Sequence, residues 1–233
     1  NKGTEDNRVR KLDYSIQISK LFYERFINDE EITLFSPHEV PELYEAWGSP
    51  EFDELYEKAE RKTSVSKSKV SAQTLFFDML KERAETGRIY IMNIDHCNSH
   101  SSFKDKITMS NLCQEITLPT DPIQHIDGAG EIALCILSAL NVGKINHLEE
   151  LEPLCELAVR SLDEIIDHQK YPVKAAEVST KARRSLGIGY IGLAHYLAKL
   201  KLNYNDKQAW KEVDELTENF QYYLLKASNE IAK

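Results

Sequence analysis

The sequence has no surplus of positive charge: 29 Lys and Arg stand against 38 Asp and Glu, a formal net charge of -9. Without spare cations to neutralise phosphates, direct nucleic-acid binding is not expected, although backbone N–H groups can still hold a small anion. No apolar run approaches the ~20 residues that span a bilayer, so no membrane partner is expected either. No stretch has the charged, apolar and small-residue order of a secretory signal. None of the four cysteines, Cys97, Cys113, Cys135 and Cys155, forms a Cys-x-x-Cys pair. A zinc site is therefore not expected, and a reduced, cytoplasmic setting is. An initiator Met is missing as well. The chain opens Asn1-Lys2-Gly3 and closes Glu230-Ile231-Ala232-Lys233 inside a helical pattern, which leads us to expect an internal piece of a longer polypeptide.

What is present is ordinary for a soluble globular chain: 42% hydrophobic and 29% charged residues, enough for one large domain or two small ones. Apolar residues at spacings of three and four predict helices over 7–28, 66–85, 148–168 and 206–232, with shorter ones at 37–47 and 50–62. Gly87 suits the position just past a helix end. Glu31-Ile32-Thr33-Leu34-Phe35 and residues 88–93 read as strands, and the nearly continuous apolar run 131–142 reads as a strand buried on both faces. Helices separated by at least three strands predict an α/β fold, a sheet covered by helices, with most residues helical.

Three stretches carry candidate chemistry. Gly187-Ile188-Gly189-Tyr190-Ile191-Gly192 spells G-x-G-x-x-G, but the residues before it, Thr180 to Ser185, are not a buried strand. A dinucleotide fingerprint needs one there, so close packing of a helix over 188–199 through small residues is the better account. His96, Cys97 and His100, in what reads as a polar loop, lack the further ligand that a metal needs. The third stretch is Ser110-Asn111-Leu112-Cys113-Gln114-Glu115-Ile116, running into Leu118-Pro119. Read as extended chain, its side chains alternate, so Asn111, Cys113 and Glu115 share one edge at about 7 Å per step. A helix would turn Cys113 away from the other two. An amide, a thiol and a carboxylate on one edge form a compact reactive set. The plain alternative is a buried strand cysteine, and Cys155, on the apolar side of its helix, reads as just such a small hydrophobe.

The segment Ser110-Asn111-Leu112-Cys113-Gln114-Glu115-Ile116-Thr117-Leu118-Pro119-Thr120 resembles the finger loop of the large, catalytic subunit of class I ribonucleotide reductases. Further blocks resemble the same family in the same order: Ile32 to His38, Thr86 to Tyr90, Asp95 to Asn98, Gly130 to Cys135 and Arg184 to Gly189. The likeness covers the whole chain and is strongest with the class Ia branch of bacteria and their phages.

That resemblance implies a piece of a ten-stranded α/β barrel, with residues 1–233 inside the catalytic domain and the radical loop at about 107–120. It implies that Cys113 becomes a thiyl radical and takes the 3′ hydrogen of a ribonucleoside diphosphate. Glu115 would be general base toward the 3′ hydroxyl, and Asn111 would hydrogen-bond the ribose. Cys135 would be half of the dithiol that reduces the 2′ carbon. A carboxylate with an ordinary pKa near ~4.3 is a weak base, so partial burial of Glu115 is expected. No cofactor is expected on this chain. The radical would come from a metal-containing small subunit and the reducing equivalents from thioredoxin or glutaredoxin, and the large subunit would self-associate. The family's other redox cysteine, its effector loops, its paired tyrosines and its C-terminal cysteines have no counterpart in the chain, so the isolated piece is expected to be inactive. A rival reading is a non-catalytic helical interaction module whose cysteines are only structural.

Overall fold

The computed structural model describes residues 12–126 and 128–233. The chain divides into two compact units, the first ending at Thr120 and the second beginning at Asp121.

The first unit opens with β1 (Tyr14–Ile18), an alternating Y-S-I-Q-I run, followed by α1 (Lys20–Ile27). Ser19 starts this helix by accepting the Phe22 N–H at 3.3 Å. Next come β2 (Glu31–Phe35), α2 (Pro41–Ala46), α3 (Phe52–Arg61), β3 (Lys67–Ser71), α4 (Ala72–Thr86) and β4 (Ile89–Asn93). β2 and β3 pair antiparallel, whereas β1 and β4 run parallel with Tyr14 opposite Ile89 and Ile18 opposite Asn93. The core gathers Ile18, Leu21, Phe22, Ile32, Leu43, Phe52 and Tyr56. α4 ends at Gly87, whose φ of +66° places it in the left-handed region where helices close on glycine. α5 (Ile94–Ser99) follows β4 directly and leads into a long loop.

The 7–28 helix is corrected at its start, since residues 14–18 form β1; residues 7–11 lie outside the described residues. The 66–85 helix is likewise preceded by a strand, because Lys67 to Ser71 pair with β2 and helix begins only beyond the Ser71 cap. In both cases strand pairing overrides a weak helical periodicity. The polar loop expected at 95–100 is mostly the short helix α5.

An ion pair braces this unit. The Arg25 guanidinium grips Glu60 with two bonds of 2.7 and 2.6 Å, and the Thr33 hydroxyl donates to the same carboxylate at 2.5 Å. Both side chains are largely buried. The Arg25 hydrogen bond holds the Glu60 carboxyl below the ordinary carboxylate range, against the opposing effect of burial. A depressed folded-state pKa adds stability that is present above roughly pH 4.3 and is lost as pH falls through the lower folded value. Glu60→Gln in the full-length protein is expected to cost about 3 kcal/mol, because it leaves a buried guanidinium unpaired. In amide exchange, that cost shows as about a hundredfold loss of protection at the β2 N–H groups. Unchanged protection would assign the pair no structural weight.

The second unit contains β5 (Ile136–Asn141), two 3₁₀ turns, α6 (Leu151–His168), α7 (Lys174–Arg183), β6 (Leu186–Ile191), α8 (Leu193–Lys199) and α9 (Lys207–Ile231). β5 and β6 are parallel, with Ile136 opposite Leu186 and Asn141 opposite Ile191. α6 supplies Leu151, Cys155, Leu162 and Ile166 to the apolar interior, and α9 supplies Leu216 and Phe220. The strand expected over 131–142 is confined to its second half and is only partly covered. The helix expected from Ile188 begins at Leu193, because the first two glycines lie within β6 and the third forms the turn after it. Gly192 has φ +80°, and a Cβ there would sit 2.4 Å from Asn141 Oδ1. That glycine allows the close crossing of two chain segments.

The α/β class holds, and helices make up close to half of the described residues rather than most of them. The described strands form three two-stranded sheets, and no closed barrel occurs among the described residues.

Candidate active site

The loop after α5 is tied down before it reaches the candidate thiol. Asn98 accepts the Ile107 N–H at 2.8 Å and returns its amide to the Ile107 carbonyl at 3.0 Å and the Ile94 carbonyl at 3.2 Å. Ile107 itself is fully buried against Met92 and Ile94. Gly48, at φ +74°, leaves room for this anchor, since a Cβ would stand 2.6 Å from Ile94 and 2.9 Å from the Asn98 amide. Gln17 donates to the Thr108 carbonyl at 3.0 Å, and its own oxygen receives the Trp47 indole N–H. At the far end Pro119 is buried. The intervening segment is thus a loop held at both ends.

Within it, the extended reading of residues 110–116 is corrected. The Gln114 N–H reaches back to the Asn111 carbonyl at 3.1 Å, closing a tight turn with Leu112 and Cys113 at its corners. Gln114 has φ +64°. Alternation stops there, and Leu112 is exposed together with Cys113 and Glu115. Neither helix nor strand forms at this point. The Asn111 side-chain oxygen accepts the Ile116 N–H at 3.1 Å, and the single Ser110 hydroxyl hydrogen is shared between that oxygen, at 3.1 Å, and the Ile116 carbonyl. Oδ1 is thus committed to the loop, which among the described residues leaves the Asn111 amide N–H₂ unused by it. The exposed Glu115 lacks, among the described residues, the cover that a tuned base would need.

Tyr90, on β4, has its phenol beside the Cys113 sulfur. The neighbouring Cys113 is the main cause raising the Tyr90 pKa, ahead of burial. Sequence reasoning missed this residue; its trace is a lone aromatic polar group in the otherwise aliphatic Ile89-Tyr90-Ile91-Met92. It also missed the supporting roles of Ser110 and Gln114.

Cys135 lies in the second unit and is exposed immediately before β5. The segment leading to it is held by an ion pair between Glu131 and Arg183 and by the Ile132 N–H donating to the Ala175 carbonyl at 3.2 Å. Arg184, in the left-handed region, bonds Asp163 and Asp167 on α6 at 2.7 and 2.9 Å. The Arg183-Arg184 pair is therefore a structural clamp. Cys155 is completely buried, and desolvation pushes its thiol up to about 11, so it stays protonated and inert at neutral pH. Burial also raises Cys97. Among the described residues, no group of three or more His, Cys, Asp or Glu is arranged to hold a metal ion, and no helix is long and apolar enough to cross a membrane.

The structure thus displays a thiol on a braced turn beside a parallel strand pair, with an amide and a carboxylate in the same loop. The family model for the ribonucleotide reductase barrel domain matches residues 1–233, and the chain belongs to that family. It is 55% identical to the ribonucleoside-diphosphate reductase subunit alpha of Haemophilus influenzae, covering all of this chain and 32% of that protein. It is 53% identical to ribonucleoside-diphosphate reductase 1 subunit alpha of Escherichia coli, again over the whole chain and 31% of the relative. The subunit alpha of Enterobacteria phage T4 is 42% identical over the same span. The chain thus spans about a third of the length of the curated relatives that it matches.

Proposed function

We propose that this chain is the part of a ribonucleoside-diphosphate reductase catalytic subunit that carries the radical loop, set in a ten-stranded α/β barrel completed by the rest of the protein. The observation that carries this reading is the exposed Cys113 thiol at the corner of a turn fixed from both sides. In the proposed reaction a thiyl radical on Cys113 takes the 3′ hydrogen of a ribonucleoside diphosphate, giving an S–H bond and a carbon-centred radical. Glu115 accepts the 3′ hydroxyl proton, and the free N–H₂ of Asn111 donates to the ribose. The 2′ hydroxyl leaves as water. Two electrons and two protons come from a dithiol that includes Cys135 and ends as a disulfide, one proton leaving in the water and the other ending on the 2′ carbon; Glu115 returns its proton to the 3′ oxygen, and Cys113 returns the hydrogen to the 3′ carbon. The net change is one ribonucleotide and one dithiol converted to one deoxyribonucleotide, water and one disulfide.

A small subunit with a metal centre supplies the radical, and thioredoxin or glutaredoxin restores the dithiol. Self-association of the large subunit and a cytoplasmic setting complete the proposal. Glu115 gains its cover only when the barrel closes and water is excluded, as a sulfur radical also requires. The test is deoxyribonucleoside diphosphate formation by the full-length protein with a small subunit and a dithiol reductant. Product is expected from the full-length protein and none from the 233-residue chain alone. A full-length protein without product would reject the reading, and product from the isolated chain would reject the need for the rest of the barrel.

A further inference from the structure

We propose that Gln114 is a positioning residue for Cys113, acting through its side-chain hydrogen bond to the Asn111 carbonyl. The proposal rests on the reading of Cys113 as the reacting thiol. A backbone φ of +64° is the conformation that glycine, or next asparagine, adopts most easily, and glutamine is an unusual occupant. Its side chain supplies what glycine cannot. Nε2 donates to the Asn111 carbonyl at 3.1 Å, the same oxygen that receives the Gln114 backbone N–H at 3.1 Å. A carbonyl only accepts, so the amide must turn its N–H₂ that way.

That orientation leaves Gln114 Oε1 buried with no hydrogen-bond partner among the described residues. An orphaned buried acceptor is disfavoured, so the amide is held by its donation to Asn111 rather than by its oxygen. Gln114 also lines a cavity of about 500 Å³ with Asn93, His96, Cys97 and His100. The turn is consequently locked twice. Asn111 Oδ1 holds the Ile116 N–H on one side, Gln114 Nε2 holds the Asn111 carbonyl on the other, and Cys113 sits between the two.

Hydrogen transfer to sulfur demands close placement, and a displacement near 1 Å can cost about a hundredfold in rate. The test uses the full-length reductase with Gln114→Met, which keeps length but has no donor, and Gln114→Gly, which suits the backbone but has no side chain. Cys113→Ser is assayed beside them. Both Gln114 variants are expected to lose about 10- to 100-fold in kcat with KM changed less than about threefold. Both should also show an enlarged isotope effect with 3′-deuterated substrate, at an unchanged melting temperature. Wild-type kcat and isotope effect in either variant would overturn the proposal, as would a loss that follows a fallen melting temperature without an enlarged isotope effect. An active Cys113→Ser would instead sink the reading of Cys113 itself.

Discussion

Cys113→Ser in the full-length protein is expected to reduce deoxyribonucleotide formation to background, a loss of at least about 10⁴-fold, or about 5 kcal/mol of barrier. Serine keeps the shape and the polarity of the turn corner. It lacks only a hydrogen–heteroatom bond weak enough to be broken and remade during turnover, so a loss this large isolates radical chemistry from geometry. The exposure of Cys113 sharpens the inference. A surface cysteine has little packing to lose, and its replacement should change stability by no more than about 0.5 kcal/mol. The rival reading, a helical interaction module with structural cysteines, therefore predicts no measurable effect. The decisive assay follows release of 3′ hydrogen as well as product. Cys113→Ser should abolish both, whereas retained 3′ hydrogen release would move the abstracting group elsewhere.

The family was legible because its blocks run in order along the chain, and the candidate residues stood out because an amide, a thiol and a carboxylate are unusual in so short a stretch. Their geometry was not legible. A period of two could be read from Asn111 to Glu115, but a single positive φ at Gln114 breaks it, and glutamine is not a residue that announces a left-handed turn. Long helices such as α6 and α9 were legible because their apolar stripes persist over many turns. The starts of α1 and α4 were misread for the opposite reason. Five-residue strands precede them, and five residues are too few to separate the two periods when the flanking sequence is strongly helical. Ser19 and Ser71 mark the true boundaries as helix caps. The anchors of the loop, Asn98 on Ile107 and Gln17 on Thr108, bring together residues 9 and 91 positions apart, and no local pattern encodes that meeting. The β5–β6 pairing was hidden for a related reason: Gly187-Ile188-Gly189 has low strand propensity and takes its strand form from pairing with β5.

Cys135→Ser is expected to separate the two halves of the reaction. In the proposed scheme Cys135 does not touch the 3′ hydrogen; it supplies reducing equivalents after water has left. The variant should still release 3′ hydrogen, but deoxyribonucleotide formation should fall by about 10³-fold or more, about 4 kcal/mol. With no dithiol to reduce the 2′ carbon, the substrate radical has no productive exit, so consumed substrate should appear as nucleotide breakdown products. The placement of Cys135 supports the assignment: it is exposed before β5, on a segment braced by Glu131 and Arg183, whereas Cys155 is sealed in the core and unable to exchange electrons with anything outside. Cys155→Ala should therefore leave the chemistry intact while costing stability. The contrast among three cysteine variants is stronger than any one of them. Loss of both 3′ hydrogen release and product at Cys113, of product alone at Cys135, and of neither at Cys155 is the pattern that this division of labour requires. Normal product formation by Cys135→Ser would remove it from the dithiol and leave that role to cysteines elsewhere in the full-length protein.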